Sequence, residues 1–406
     1  MSLRGVVLLL TAALLGSACA GGSTLDDLAD STALASTDAI GTVVVRADTL
    51  RLVDRTGAET QLDVGDQPFQ PTWSRDGSRL VVATSSPSGP FVEVFNGDTG
   101  VRIDRQRASR SYFFFSWSSD GRHIAALGNG PRGTTLDILD EQGRMLAGSV
   151  AAAGSLFVAW EPDGDRLIAH GDQRLFLMTT DFEIEDLGEV GSDFYAPKWI
   201  PGTGDVMLTG EIDGERRLIR RTVETGSTSD LGPIRGATGI VVHPDGGRAV
   251  LVHTSAIDDG GITSASFRPV QTAAAVEVID LDTGDRNAVI ESFAWWAEWS
   301  PSGDQLLLAT IDSSSGEGEW IVWNGESAAT VAEFTPTPAF FTRYMVFSDQ
   351  YIEQPRLWSF DGTAFVYPDA TSRGDRVFVV DSDGQGSPVD VGPGAVAFWS
   401  QRVSNP

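Results

Sequence analysis

Cysteine and lysine are almost missing from this chain of 406 residues: there is one of each, Cys19 and Lys198. A lone cysteine excludes an intramolecular disulfide, so the fold must be held by its core. Basic residues are scarce as well. Against 56 aspartates and glutamates stand 29 lysines and arginines, a formal net charge of −27. Such a surface repels phosphate backbones and argues against nucleic acid as a partner. GC-rich coding and adaptation to salt each produce acidic, lysine-poor chains, and a solvated surface is the ordinary meaning of the charge. No apolar run beyond the N-terminal stretch reaches the length of a membrane span. The four histidines, His123, His170, His243 and His253, never form a His-x-x-x-His pair, so neither a metal site nor a cofactor is expected. A Gly-x-Ser-x-Gly nucleophile elbow is absent too, and no catalytic residue can be assigned.

What is present begins with an export-like N-terminus. Arg4 supplies a positive start, Gly5 to Leu15 is apolar but too short to span a bilayer, and Gly16-Ser17-Ala18 places small residues before Cys19. A cysteine at that point resembles the lipobox of bacterial lipoproteins, with the departure that Gly16 stands where leucine is usual. The resemblance implies that residues 1–19 form a signal peptide ending at a lipidated Cys19; cleavage after Ala18 without lipidation is the alternative. Residues 20–40 are small and polar with no sustained period, as in a flexible tether. On this reading residues 41–403 are the folded body, exported and attached by its lipid to the outer face of the cell membrane, or held in the periplasm or at the outer membrane.

The body carries a recurring phrase: Trp73-Ser74-Arg75-Asp76-Gly77, Trp117-Ser118-Ser119-Asp120-Gly121, Trp160-Glu161-Pro162-Asp163-Gly164 and Trp299-Ser300-Pro301-Ser302-Gly303. Each copy precedes a short apolar run, which makes the phrase a turn between two strands. With Trp199, Trp358, Trp399 and the substitute Val242, there are eight markers. Most lie 39 to 44 residues apart, and two intervals stretch to 57 and 59. About forty residues holding four short strands is one propeller blade. The expected fold is therefore all-β, a β-propeller of eight four-stranded antiparallel blades; seven would require the weak Val242 copy to be false. Three strand-like runs precede the first marker and one marker strand ends the chain, so the C-terminal strand is expected to close the ring on the N-terminal ones.

Turn chemistry explains the phrase: proline presets a tight turn, aspartate binds nearby amides, and glycine takes the positive φ. The tryptophan fills space between sheets. Followed by an apolar strand, Trp-Ser-Pro-Asp-Gly resembles the TolB-type, WD-like propeller repeat and is similar to the propeller module of dipeptidyl-peptidase and prolyl-oligopeptidase enzymes, without their hydrolase domain. That resemblance implies an exported scaffold for protein contacts and names no partner. The carboxylate runs Asp280 to Asp285 and Asp381 to Gly384 look like fragments of calcium loops, yet they fall where hairpin turns are due.

Binding is better argued from loop geometry. The long intervals place insertions at 255–272, between second and third strands, and at 335–354, between blades. These two loop classes share a face, which also exposes the starts of the innermost strands. Aromatics crowd there: Phe69, Tyr112, Phe113, Phe157, Phe194, Tyr195, Trp295 and Trp296. Neighbours in a strand point opposite ways, so one of each adjacent pair is expected to pack and the other to face the opening. The residues expected to form a contact surface for a protein or peptide of the envelope are Tyr112, Tyr195, Trp295, Trp296, Arg343, Tyr344 and Tyr351. A second reading is a carbohydrate-binding, small-ligand-binding or hydrolytic propeller using its central channel, with Asp193, Glu298 and Arg356 at the mouth; it requires an open, polar channel.

Overall fold

A computed structural model describes residues 41–401 except 55, 66, 163, 180, 191–195, 237, 254–274 and 352–354, and the side chains of 147–149 and 351 are not described. The expectation of eight blades holds. Consecutive strands pair as antiparallel meanders, as in the first blade, whose strands are Pro68–Trp73, Arg79–Ser86, Gly89–Asn96 and Arg102–Arg107. Burial falls from the inner strand outward: Trp73 and Leu80 are buried, whereas the outermost strand alternates half-buried with exposed residues. The weak copy builds a true blade, with inner strand Thr238–Val242. In the seventh blade the inner position is held by a short bridge from Trp358 to Phe365 beside three longer strands, and Arg356 bridges to Trp399 of the eighth blade.

Closure occurs as the two ends of the sequence require. Val396–Trp399 pairs with Thr42–Arg46, Val43 lying opposite Trp399 and Arg46 opposite Val396, so one blade is built from both ends of the body. This removes the two long unpaired edges an open array would leave.

The turn reading of the repeat also holds, and the bonds are visible. The Ser74 hydroxyl donates to Asp76 Oδ1 at 2.6 Å, the Ser78 amide donates to the same oxygen at 3.0 Å, and Gly77 adopts φ +64°. Ser118–Asp120 and Ser359–Asp361 repeat the first bond at 2.6 and 2.7 Å. The carboxylate runs that look like calcium loops are turns as well: Asp280 Oδ1 accepts from the amides of Asp282 and Thr283.

The tryptophan does more than fill space. Its indole N–H donates to the carbonyl one residue before the marker of the preceding blade: Trp117 to Thr72 (3.1 Å), Trp160 to Ser116 (2.9 Å), Trp199 to Ala159 (3.0 Å), Trp299 to Val241 (3.2 Å) and Trp358 to Glu298 (3.1 Å). Trp73 makes the same bond to Phe398 at 3.3 Å, across the closing seam. A buried indole needs such a partner, and a carbonyl already paired within its own blade, as Thr72 is with Val81 and Ser116 with Ala125, has a second lone pair to offer.

Replacing Trp117 by phenylalanine keeps most of the apolar volume and removes the donor. One hydrogen bond across the seam is then lost, and the expected cost is about 0.5 to 1.5 kcal/mol, read as a lower midpoint in urea unfolding. An unchanged midpoint would show that the ring fills space and nothing more.

Candidate functional site

The insertion between the sixth and seventh blades folds into two short helices, α1 (Pro338–Arg343) and α2 (Ser348–Tyr351), joined by a 3-10 turn at Met345–Phe347. Thr337 caps α1 by accepting from the Phe340 amide, Pro338 fits the first turn, and Arg343 sits in the last turn, where positive charge is favoured. The Thr337 hydroxyl also donates to the Ala395 carbonyl at 2.5 Å and ties the start of the insertion to the eighth blade.

The segment then reaches across the ring. Phe340 packs on Trp296 (ring centroids 5.6 Å apart), and Tyr344 lies edge-on against Phe398 (4.8 Å). Gln350 behaves like a piece of strand: its Oε1 accepts from the Val158 amide at 3.1 Å and its Nε2 donates to the Val158 carbonyl at 3.0 Å. Asp349 accepts from the Ala196 and Ile240 amides at 2.6 and 3.4 Å, and its own carbonyl accepts from Lys198 Nζ. The single lysine of the chain is thus buried against the insertion. Inner strands of the third, fourth, fifth, sixth and eighth blades hold it, so it acts as a plug over the central opening.

The plug corrects several expectations. Tyr112, Trp296 and Tyr344 are buried, at 2, 0 and 2 % exposure, and offer no contact surface. Tyr112 turns between blades and donates to Asp137 Oδ2 at 2.8 Å. Trp296 donates to Glu298 Oε2 at 3.0 Å, and Tyr344 is covered by the plug itself. Trp295 is half-buried against Phe293 and Phe341, and Arg343 is exposed. Tyr195, Asp193 and the 255–272 insertion lie outside the described residues, as does the side chain of Tyr351.

Glu298 is not at a channel mouth. It is wholly buried, with the Leu357 amide donating to Oε2 at 3.2 Å and Arg356 Nη1 at 3.7 Å from Oε1. Burial pushes its carboxyl up from the ordinary 4.5 to about 7, with Arg356 and the hydrogen bonds from Trp296 and Leu357 pulling the other way. Among the described residues no group of three His, Cys, Asp or Glu side chains is arranged to hold a metal.

One constellation imitates a catalytic triad. Thr238 Oγ1 lies 3.0 Å from His253 Nδ1, and His253 Nε2 lies 3.2 Å from Glu277 Oε2. The repeat identifies it as structural. His253 and Glu277 occupy the register positions of Thr84 and Glu93 in the first blade, which bond at 2.9 Å. In the second blade Gly128 stands at the histidine position, and Tyr112 reaches past it to Asp137. These are buried ties on equivalent strands, each with an arginine nearby: Arg105 for Glu93, Arg110 for Asp137 and Arg286 for Glu277.

The open space on the plugged face is a cavity of about 930 Å³ beside the plug, bounded by the eighth, first, second and third blades. Phe69, Phe113, Leu127 and Phe157 form apolar wall, and Phe347 of the plug, 42 % exposed, stands over it. Polar groups come from Gln67, Gln70, Asn129 and Ser155, and positive charge from Arg46 and Arg343. Gln67 and Gln70 have φ of 49° and 53°, a conformation that side-chain-bearing residues hold only where surroundings impose it. Of the adjacent aromatics Tyr112 and Phe113, Tyr112 is buried and Phe113, half-buried, lines the cavity. A second cavity of about 670 Å³ between the fourth and fifth blades is polar, and its arginine is paired, Arg220 with Asp205, as is Asp230 with Arg217, both at 2.6 Å.

Comparison with solved structures supports the architecture. A crystal structure described as the eukaryotic initiation factor covers 90 % of this chain and 99 % of its own at 11 % identity, with a TM-score of 0.60. The dihydro-heme d1 dehydrogenase NirN covers 88 % and 75 % at 13 % identity, with a TM-score of 0.61. The likeness is one of fold. TolB from Acinetobacter baumannii is also similar, at 15 % identity over 80 % of this chain and 83 % of its own, with a TM-score of 0.44. No protein family matches the sequence, and no curated protein does.

Glu298 makes stability depend on pH. Its folded carboxyl binds a proton more tightly than the unfolded one, so its contribution is fully present below about pH 4.5 and is lost as pH rises through 7. Relative to Glu298→Gln, the parent protein should lose on the order of 3 kcal/mol between pH 4.5 and 8. Urea unfolding of both proteins at the two pH values measures this; parallel pH dependence of the two would overturn it.

Proposed function

We propose that this chain is an exported, lipid-anchored β-propeller that binds a protein or peptide of the cell envelope on its plugged face. The observation that carries the reading is the cavity beside the plug: an aromatic wall with charged groups at the rim, on the face where strand starts and the plug meet. A hydrophobic centre edged by arginine and polar groups has the make-up of a binding hot spot. The central channel offers less, because the plug spans it and Glu298 is packed inside. Export and anchoring rest on Arg4, the apolar stretch to Leu15 and the placement of Cys19.

Photo-crosslinking in intact cells tests the binding face. A crosslinker at Phe347 should capture a discrete protein, and one at Arg122, on the turn side, should not; equal capture at both positions would remove the face from consideration. Anchoring is tested by growth with radiolabelled palmitate. The parent protein should take up label and Cys19→Ser should not, and an unlabelled parent protein would leave an ordinary secreted one.

A further inference from the structure

Arginines in this protein generally face carboxylates, as expected where acids outnumber bases. Arg102, Arg110, Arg166, Arg174, Arg217 and Arg376 all lie within 3.2 Å of one. The two arginines of the main cavity differ. Arg46 is half-buried, and its Nε donates to the Pro68 carbonyl at 2.6 Å, which orients the guanidinium and leaves both terminal amino groups unbonded among the described residues. Arg343 is exposed at the end of α1. Neither has a carboxylate within ion-pairing distance among the described residues, although Asp48 lies on the same rim. They are close enough to feel each other: after burial, Arg343 is the largest influence holding the Arg46 guanidinium below its ordinary range.

Two like charges with no carboxylate in ion-pairing distance among the described residues, and with Asp48 acting on Arg46 only through space, form a local site for an anion. The wall beneath them is aromatic and aliphatic, so the anion belongs to a molecule with an apolar body. Amide side chains at the rim, Gln67 and Asn129, suit a ligand with its own amides, and the volume is at the upper end of the range for bound small molecules, about 300 to 1,000 Å³. A second copy of this chain would bring the same large negative charge, and repulsion opposes it.

We propose that Arg46 and Arg343 receive the carboxylate of a partner peptide whose adjacent apolar side chain fills the cavity against Phe69, Phe113 and Phe157. This rests on the binding face argued above and adds the chemistry it reads: an apolar residue beside a carboxylate. That carboxylate comes either from a free C-terminus or from an aspartate or glutamate side chain.

Fluorescence anisotropy with the full chain separates these sources. The probes are three labelled hexapeptides: one ending in Leu-Phe as the free acid, the same peptide as its amide, and an amide with an internal Phe-Asp. Binding of the free acid alone identifies the C-terminus, and binding of the Phe-Asp peptide identifies the side chain; both support the proposal. Arg46→Gln with Arg343→Gln should weaken the bound probe about tenfold or more, while Arg343→Lys weakens it less. Unchanged thermal unfolding of the double variant shows that the fold persists. The proposal is overturned if neither carboxylate probe binds, if the plain amide binds equally well, if the double variant binds as the parent does, or if decanoate displaces the peptides at lower concentration than they bind. Crosslinking from Phe347 together with failure of the arginine variant to lose affinity would remove this assignment and leave the binding face standing. Carboxylate binding without crosslinking would do the reverse.

Discussion

Everything in this ring depends on a bond that sheets alone cannot make, the indole N–H of one blade donated to a carbonyl of the blade before. Within a blade, antiparallel ladders satisfy the backbone. Between blades there is no ladder, and side chains meet at an angle. At most of these seams a tryptophan on the inner strand solves two problems, because its ring fills the wedge and its nitrogen finds a partner in a carbonyl of the neighbouring blade. The tight turn after it, with serine and aspartate bonding inside, fixes where that ring points. At the fifth blade the marker is Val242, which has no donor. The neighbouring His243 packs edge-on against Trp299 at 4.6 Å and bonds to the Gly303 carbonyl at 2.9 Å, adding a second tie at the seam with the sixth blade, which Trp299 already bridges.

The fold was legible because its signal repeats. One Trp-Ser-Pro-Asp-Gly copy is a weak hint, but eight markers at near-constant spacing leave few architectures, and the leftover strands at 42–61 and 396–399 required a shared blade. Interval length located the insertion at 335–354 as well. Its shape was not legible. No pattern in Thr335 to Gln354 announces that Gln350 will pair with Val158 or that Asp349 will meet Ala196, since those partners lie far off in sequence and depend on the ring already being closed.

The candidate site was legible only in part. Strand alternation led to the expectation that one of two adjacent aromatics packs and the other faces the opening, and the sequence reading chose Tyr112 over Phe113. Tyrosine is the commoner interface residue, but here its hydroxyl had a buried acid to reach, Asp137, across the gap left by Gly128. That preference can be read only by aligning strands two and three of different blades, where Glu93, Asp137 and Glu277 fall in one register. Trp296 and Tyr344 were misplaced for a related reason: a plug converts what would be a lining into an interior. Arg46 gave no signal, being one arginine in a strand end, and its interest comes from lacking the acid that its counterparts have.

Closure by Val396–Trp399 has a consequence for the order of events when this protein is made. Thr42 and Ser400 are hydrogen-bonded although 358 positions apart. The strand Thr42–Arg46 emerges first and waits, with an open edge, for a partner that emerges near the end of synthesis. The plug follows the same calendar, since Tyr344 rests on Phe398 and Thr337 on Ala395. A chain halted before residue 395 can form several blades, yet it has neither a sealed ring nor a seated plug, and therefore no finished cavity to offer a ligand.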